Sequence, residues 1–354
     1  MFHSPFLKSK WLLNRFYRGL KLYHAGHSFE LWKNLFFHLS RRVFSEKVSN
    51  LITIGVTYKC QCHCVHCSTN VPTRRKFAEL ETPQIKSVID QAKQMGVLRV
   101  TFFGGEPLLR KDIFELIHYA HTSGLITRIN TNGDLLNRES VSKLKDAGLA
   151  LCDVSLDDPD PGVHDTLRGL PGLHEKAIQG IRLLKEYKIF TQIVTYAARR
   201  NIPDGLKRII DLGKSLGVFA VSIVFPIATG CWYYSFKEIL NEEEKEAVRR
   251  LGDCRFVHVE LSSPRSKCSL INKSGLYVSP EGDVTPCPFV PYSLGNVKEN
   301  ALGEIWSCFC RSFKLEFEGD CPMNSIEFRR ALEEGIESVQ KHIGLQSPSF
   351  SAPA

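Results

Sequence analysis

This chain of 354 residues lacks several features that mark common protein classes. It has no run of about 18 or more apolar residues, as a membrane-spanning helix would need. Its N-terminus lacks the short apolar core and small-residue cleavage site of a signal peptide. It also contains no ATP-type phosphate loop and no internal repeat. With 43% hydrophobic residues, the chain has the composition of a globular protein with a sizeable core, and we expect it to be cytoplasmic.

Acidic residues are scarce in the first 45 positions, where Glu30 is the only acid against eight Lys or Arg. This segment therefore carries +7 of the net charge of +8, and it is rich in large aromatic side chains. We interpret residues 1–48 as a basic, aromatic helical arm. Packing of the arm on the main domain is one interpretation, and peripheral contact of residues 1–45 with the inner membrane surface is another. We expect no specific nucleic-acid partner.

The twelve cysteines are more typical of metal ligands than of disulfides in a long chain without a signal peptide. Four of them, Cys60, Cys62, Cys64 and Cys67, crowd into "TYKCQCHCVHCST". In an extended loop Cys60 and Cys62 point in opposite directions, so we do not expect both to bind one cluster. Either Cys60 or Cys62 then joins the other two. Three thiolates on a 4Fe-4S cluster leave one iron open to a substrate or cofactor.

From residue 51 onward, short apolar runs rich in β-branched residues alternate with segments of helical period. The six runs are "LITIGVT" at 51, "VLRVTFF" at 97, "ITRINT" at 126, "LALCDVSL" at 149, "IFTQIVTY" at 189 and "VFAVSIVFP" at 218. Six strand–helix units in succession predict parallel strands with right-handed crossovers, in an open doubly wound sheet or a full or partial barrel. In both architectures, functional residues collect beyond the carboxyl ends of the strands.

Two of these strand ends carry motifs that resemble a known family. "CQCHCVHC" follows the first strand and "FFGGEPLL" ends the second, and together they are similar to the radical S-adenosyl-L-methionine (SAM) enzymes. The resemblance extends from residue 51 to about 325. It implies an α/β fold with a partial (β/α)6 TIM-like barrel. It also implies that Cys60, Cys64 and Cys67 bind a 4Fe-4S cluster whose open iron is chelated by SAM.

The resemblance also implies cofactor-binding residues at the other strand ends. Glycines at the second strand let the backbone approach the methionine moiety, and the neighbouring acid helps to hold its ammonium group. Ser155 and Arg168, in "DVSLDDPDPGVHDTLRGLPG", match residues that contact the SAM carboxylate, for which arginine supplies a fixed fork of donors. His66 stands where an aromatic residue often faces adenine. The predicted cofactor-binding residues are Gly104, Gly105, Glu106, Pro107, Ser155, Arg168, His66 and Asn132.

The composition changes after the sixth unit, where residues 267–306 predict a hairpin turning at Gly282, followed by a helix. Cys268 and Cys287 flank the hairpin in a pattern similar to the SPASM/Twitch extension, which binds auxiliary iron–sulfur clusters. Too few cysteines follow for two clusters, so we expect one auxiliary 4Fe-4S cluster. Its expected ligands are Cys268, Cys287, Cys310 and Cys321, with Cys308 or an open iron as alternatives to Cys310. Zinc is the alternative metal. We interpret Cys152, Cys231 and Cys254 as ordinary thiols.

The predicted organisation is an arm at 1–48, a radical SAM partial barrel at 49–255, an auxiliary cluster domain at 256–345 and a disordered tail at 346–354. The resemblance implies reductive SAM cleavage to a 5′-deoxyadenosyl radical, which abstracts hydrogen from a peptide, lipid, sugar or cofactor precursor. The auxiliary cluster would transfer electrons or bind substrate. A small electron donor such as flavodoxin or ferredoxin is the expected partner. The alternative is an iron–sulfur electron-transfer protein that does not cleave SAM.

Overall fold

We describe the protein from a computed structural model. The structure describes residues 49–70, 78–253, 255–260, 268–312, 317 and 321–334. The predicted arm at 1–48, the predicted tail at 346–354 and Cys254 lie outside the described residues. Within these ranges, no helix is both long and apolar enough to cross a membrane.

One ten-stranded sheet organises the described part of the chain. Its strands are β1 (Leu51–Thr57), β2 (Arg99–Gly104), β3 (Ile126–Thr131), β4 (Leu151–Ser155), β5 (Phe190–Tyr196), β6 (Ala220–Val224), β7 (Val257–Val259), β8 (Gly275–Val278), β9 (Asp283–Thr285) and β10 (Gly295–Asn296). Strands β1 to β7 run parallel and lie side by side in chain order. Strand β8 pairs with the other side of β1, also in parallel, and β9 and β10 continue the sheet in antiparallel pairing.

Ten helices lie within the described residues; the first eight stand between strands, and the last two follow β10. They are α1 (Thr82–Gln94), α2 (Ile113–Thr122), α3 (Arg138–Asp146), α4 (Pro161–Arg168), α5 (Leu173–Glu186), α6 (Asp204–Leu216), α7 (Glu242–Arg249), α8 (Ser269–Asn272), α9 (Leu302–Ser312) and α10 (Ile326–Glu334). Helix α1 illustrates why they form: its apolar residues recur at helical spacing and bury one face, comprising Ile85, Val88, Ile89 and Ala92.

The main hydrophobic core lies between these helices and alternate residues of the strands. Ile52 and Ile54 of β1, Phe102 of β2 and Ile129 of β3 are fully buried there. Burying each such side chain stabilises the fold by about 1.5–3 kcal/mol. Since successive strand residues face opposite sides, the intervening residues face the interior of the barrel.

The predicted α/β fold with a partial TIM-like barrel is confirmed. The short strand β7 was not predicted. The predicted hairpin forms from β8 and β9, with Gly282 at its turn, and it joins the barrel sheet through β1. All strands from β1 to β6 end at the same edge of the sheet, so the loops that follow them meet there.

Candidate functional site

The segment after β1, residues 58–69, is called the cysteine loop here. The end of α4 holds it in place, because the His63 and Val65 amides donate to the Arg168 and Leu167 carbonyls at 2.9 and 3.0 Å. Cys60 is exposed, while Cys64 and Cys67 are half-buried. The loop therefore carries three of its thiols at the edge of the barrel where the strands end.

The sequence predicted that Cys62 and Cys60 point in opposite directions, and the structure contradicts this. Cys62 is buried, its backbone amide donates to Cys60 Sγ at 3.4 Å, and its thiol hydrogen-bonds to both Cys60 and Cys64. The loop bends instead of running extended, so the alternation typical of a strand does not apply. These bonds raise the pKa of Cys62, and they lower the pKa of Cys60 to about 6 and of Cys64 to about 7.

The donor set of the cysteine loop fits an iron–sulfur cluster. Thiolates are the ligands that such clusters require, and the lowered pKa values of Cys60 and Cys64 favour the thiolate at neutral pH. Within the described ranges, no three His, Cys, Asp or Glu side chains converge closely enough to hold a single metal ion.

The Gly-Gly turn after β2 packs directly against the start of the cysteine loop. The Gly105 amide donates to the Thr57 carbonyl at 2.7 Å, and the Glu106 amide donates to the Lys59 carbonyl at 2.8 Å. A Cβ atom built on Gly104 would collide with the Thr57 carbonyl, and one on Gly105 with the Lys59 carbonyl. The close approach that needs these glycines is thus to the end of β1 and the start of the cysteine loop.

Glu106 joins the turn after β2 to the turn after β3. Its carboxylate is fully buried and accepts from the Leu108 amide at 3.1 Å, the Thr131 hydroxyl at 2.9 Å and the Asn132 amide at 2.8 Å. Burial raises the pKa of Glu106 to about 7 despite these donors. The Asn132 side chain in turn donates to Cys60 Sγ at 3.8 Å. Glu106 therefore fixes a residue that contacts the cysteine loop.

Arg168, at the end of α4, connects the cysteine loop to a buried acid that the sequence did not single out. Its Nε donates to Asp157 Oδ2 at 2.6 Å, and its Nη1 lies 3.9 Å from Cys64 Sγ. Asp157 is fully buried, which raises its pKa, yet the charge of Arg168 holds the pKa well below its usual range. The guanidinium is thereby held with one edge on Asp157 and the other toward Cys64.

His66 lies against an aromatic pair that the sequence also did not single out. The His66 ring lies 4.7 Å from the Tyr196 ring and 6.0 Å from the Trp232 ring, and the latter two are 5.4 Å apart. Burial lowers the pKa of His66 to about 4, so the ring is neutral at pH 7. Tyr196 is the last residue of β5, and this position at a strand end was the available signal; Trp232 lies eight residues after the end of β6.

The remaining predicted cofactor residues lie at the same edge. Ser155 is the last residue of β4 and is half-buried, in register with Val194 of β5. Pro107 is buried and opens a short 3₁₀ turn after Glu106. The structure thus brings residues from the ends of β1, β2, β3 and β4 to one region around the cysteine loop.

The five C-terminal cysteines are all free thiols. Cys268 precedes α8, and Cys287 follows β9, close enough to Cys268 to interact with it electrostatically. Burial raises the pKa of Cys268, and it raises that of Cys287 to about 12. Cys310 packs against the hydrophobic core, as Cys268 and Cys287 do. Cys308 lies two residues earlier on α9, where the helical period points its side chain toward nearly the opposite face.

Family models match two parts of the chain. Residues 54–212 match the Radical SAM superfamily, and residues 268–324 match SPASM, an iron–sulfur cluster-binding domain. These matches coincide with the barrel and with the region of the C-terminal cysteines.

Several curated proteins resemble the chain over most of their length. The AdoMet-dependent heme synthase of Methanosarcina barkeri is 31% identical over 285 residues, covering 72% of this chain and 81% of that protein. The AdoMet-dependent heme synthase of Oleidesulfovibrio alaskensis is 29% identical over 77% of this chain and 79% of that protein. The PqqA peptide cyclase of Rhodopseudomonas palustris is 34% identical over 72% of each.

Solved structures show the same fold. Streptococcus suis SuiB bound to S-adenosylmethionine superposes with a TM-score of 0.62 at 16% identity, covering 76% of this chain and 68% of that one. The structure of anSMEcpe with bound AdoMet superposes with a TM-score of 0.58 at 17% identity, covering 72% of this chain and 79% of that one. The chain therefore belongs to the radical SAM superfamily, as an enzyme that uses SAM and iron–sulfur clusters and carries a C-terminal SPASM domain.

Proposed function

We propose that the protein is a radical SAM oxidoreductase in which Cys60, Cys64 and Cys67 hold the SAM-binding 4Fe-4S cluster. The observation that carries this proposal is the meeting of the cysteine loop with the Gly-Gly turn and Arg168 at one edge of the barrel. When bound, the cluster supplies the electron that cleaves SAM to methionine and a 5′-deoxyadenosyl radical, which abstracts hydrogen from the substrate.

The protein's own residues bind and orient the cofactor in this proposal. The Arg168 guanidinium, fixed by Asp157, supplies donors for the SAM carboxylate together with the Ser155 hydroxyl. The turn of Gly104 to Pro107 binds the methionine ammonium. Glu106 shapes this turn, and its carboxylate has room for a further donor beyond the three that it accepts.

Adenine would lie against His66, which stands in the buried aromatic group with Tyr196 and Trp232. A neutral, uncharged ring suits stacking on a flat apolar base, and burial keeps His66 neutral. The Asn132 side chain lies beside Cys60 and orients the cysteine loop toward the cofactor.

The SPASM domain is proposed to hold one auxiliary 4Fe-4S cluster through Cys268, Cys287, Cys310 and Cys321. Cys310 is preferred to Cys308 because it packs on the same core as Cys268 and Cys287. The auxiliary cluster would accept an electron from the substrate radical or bind the substrate directly. The proposed limits of this domain are residues 256 and 345, and those of the barrel are 49 and 255.

A tetrapyrrole converted toward heme is the favoured substrate class, because two of the relatives described above are named heme synthases and are matched over about four fifths of their length. A peptide is the second candidate. It is supported by the relative named PqqA peptide cyclase and by a solved structure of SuiB in which the precursor peptide SuiA is bound.

The proposed function is tested by anaerobic reconstitution with iron and sulfide, followed by dithionite and SAM. We expect 5′-deoxyadenosine to form, and to form faster when an iron porphyrin precursor is present than when a peptide is present. Reactions without dithionite or with unreconstituted protein are the controls. A reduced cluster that yields neither 5′-deoxyadenosine nor its adducts would instead support an electron-transfer protein.

A flavodoxin or ferredoxin is proposed as the physiological electron donor. Val65, which is half-exposed between Cys64 and Cys67, offers an accessible apolar contact close to the proposed cluster. The protein is proposed to act in the cytoplasm.

Peripheral membrane contact through residues 1–45 is a further proposal, and it rests on the charge of +7 and the aromatic content of this segment. Deleting residues 1–45 is expected to abolish partition onto vesicles that contain anionic lipid, while neutral vesicles bind neither form. Equal partition of the full-length and truncated proteins would contradict membrane contact through this segment.

A further inference from the structure

The segment that follows β6, residues 226–232 with sequence "PIATGCW", is called the β6 turn here. It belongs to no motif that the sequence identified. Ile227, Ala228 and Thr229 are almost completely buried. The β6 turn touches the cysteine loop on one side and two cysteine-bearing loops of the SPASM domain on the other.

The contact with the cysteine loop is made to the backbone of Cys67. The Cys231 amide donates to the Cys67 carbonyl at 2.9 Å. Gly230 has a left-handed φ of +56°, and a Cβ atom built there would collide with the same carbonyl. A residue with a side chain could not adopt this conformation at this distance without displacing Cys67. The β6 turn therefore fixes the backbone that carries the third proposed ligand.

Two side chains make the contact with the SPASM domain. The Thr229 hydroxyl donates to the carbonyl of Phe289, two residues after Cys287, at 3.0 Å. Asn324 accepts from the Ala228 amide at 2.9 Å and donates to the Pro226 carbonyl at 3.2 Å. The backbone N–H of Asn324 in turn donates to the Cys321 carbonyl at 3.0 Å. The first half of the β6 turn is thus hydrogen-bonded to segments that contain proposed auxiliary ligands.

We propose that Thr229 and Asn324 are positioning residues that couple the auxiliary site to the radical-generating site by fixing the β6 turn against Cys67. This inference rests on the proposed function, because it takes Cys67 as a cluster ligand. Buried hydrogen bonds of this kind hold a single backbone arrangement, since an unpaired carbonyl in the interior is costly. Coupling between two sites is reciprocal, so SAM binding at the cysteine loop also stabilises the SPASM segments around Cys287 and Cys321.

The first test compares Thr229→Val and Asn324→Leu with wild type in the reconstituted holoenzyme. We expect iron content to be retained, while the dissociation constant for SAM rises at least about fivefold, the lower range of measured coupling. The electron paramagnetic resonance signal of the reduced, SAM-bound cluster is expected to broaden. Thr229→Ser, which keeps the hydroxyl, should restore wild-type behaviour. Thr127→Val is the matched control, because it removes a buried hydroxyl bond to the Gly148 carbonyl near the amino end of β3, away from the carboxyl ends where the site lies.

The second test is hydrogen exchange of the holoenzyme with and without SAM. In wild type, SAM should slow exchange of amides at 287–290 and 321–325, and this protection should be lost in Thr229→Val. Variants that match wild type in SAM affinity, spectrum and exchange would overturn the coupling while leaving the proposed function intact. A wild-type protein that binds no SAM would overturn the proposed function and this inference together.

Discussion

Replacing Cys64 with alanine is expected to remove the cluster of the cysteine loop and to abolish SAM cleavage, whereas Cys62→Ala keeps both. Cys64 Sγ lies 3.9 Å from the Arg168 guanidinium, and hydrogen bonding from Cys62 lowers the pKa of Cys64 to about 7. It is therefore partly thiolate at neutral pH, the form that binds iron. Cys62 shares its single thiol proton between Cys60 and Cys64, which raises its own pKa, so it remains a thiol.

Iron analysis and 5′-deoxyadenosine formation, measured on the reconstituted variants, check this prediction. Bound iron should fall by about half in Cys64→Ala, because the proposed auxiliary cluster remains. Cys62→Ala loses the hydrogen bonding of its thiol but no proposed ligand, so its iron content should equal that of wild type. Cys60→Ala completes the comparison. If Cys62→Ala loses the iron while Cys60→Ala keeps it, the ligands are Cys62, Cys64 and Cys67, and the register assigned to the loop is wrong.

The sequence was most informative where one local pattern determines the structure. The apolar run at 51–57 became β1 with the same limits, and the segments of helical period between the runs became helices such as α1. The edge at which the site forms also followed from sequence, because parallel strands with helical crossovers end on the same side.

Contacts between distant segments were beyond the reach of local patterns. The three residues of β7 are too few to show a period, and nothing local indicates that β8 pairs with β1. Tyr196 and Trp232 meet His66 only because β5 and β6 are neighbours in the finished sheet. The alternation expected of Cys60 and Cys62 failed because it presumed an extended loop. Residue type and spacing therefore identify the candidate ligands, while the loop bends that orient their side chains depend on tertiary contacts.

Arg168→Met is expected to lower the free energy of unfolding by about 3 kcal/mol, because it leaves the buried Asp157 carboxylate without its main positive partner. Asp157 is fully buried, and the 2.6 Å bond to Arg168 Nε is the closest contact that holds its charge. Asp157→Asn removes the negative charge but keeps the side-chain volume, so the Arg168 guanidinium loses the ion pair that orients it. Both variants should raise the dissociation constant for SAM at least about tenfold, as expected from losing one charge-assisted hydrogen bond or its orientation.

The double variant, Asp157→Asn with Arg168→Met, separates the two effects. It carries no unpaired buried charge, so it should regain part of the stability lost in Arg168→Met while binding SAM no better. Urea unfolding of the cluster-free proteins and equilibrium dialysis of SAM against the reconstituted proteins provide the two measurements. Arg138→Met is the matched control, since its partner Glu186 is exposed and the pair is screened by water. If Arg168→Met unfolds like that control and binds SAM normally, Arg168 neither neutralises Asp157 nor contacts the cofactor.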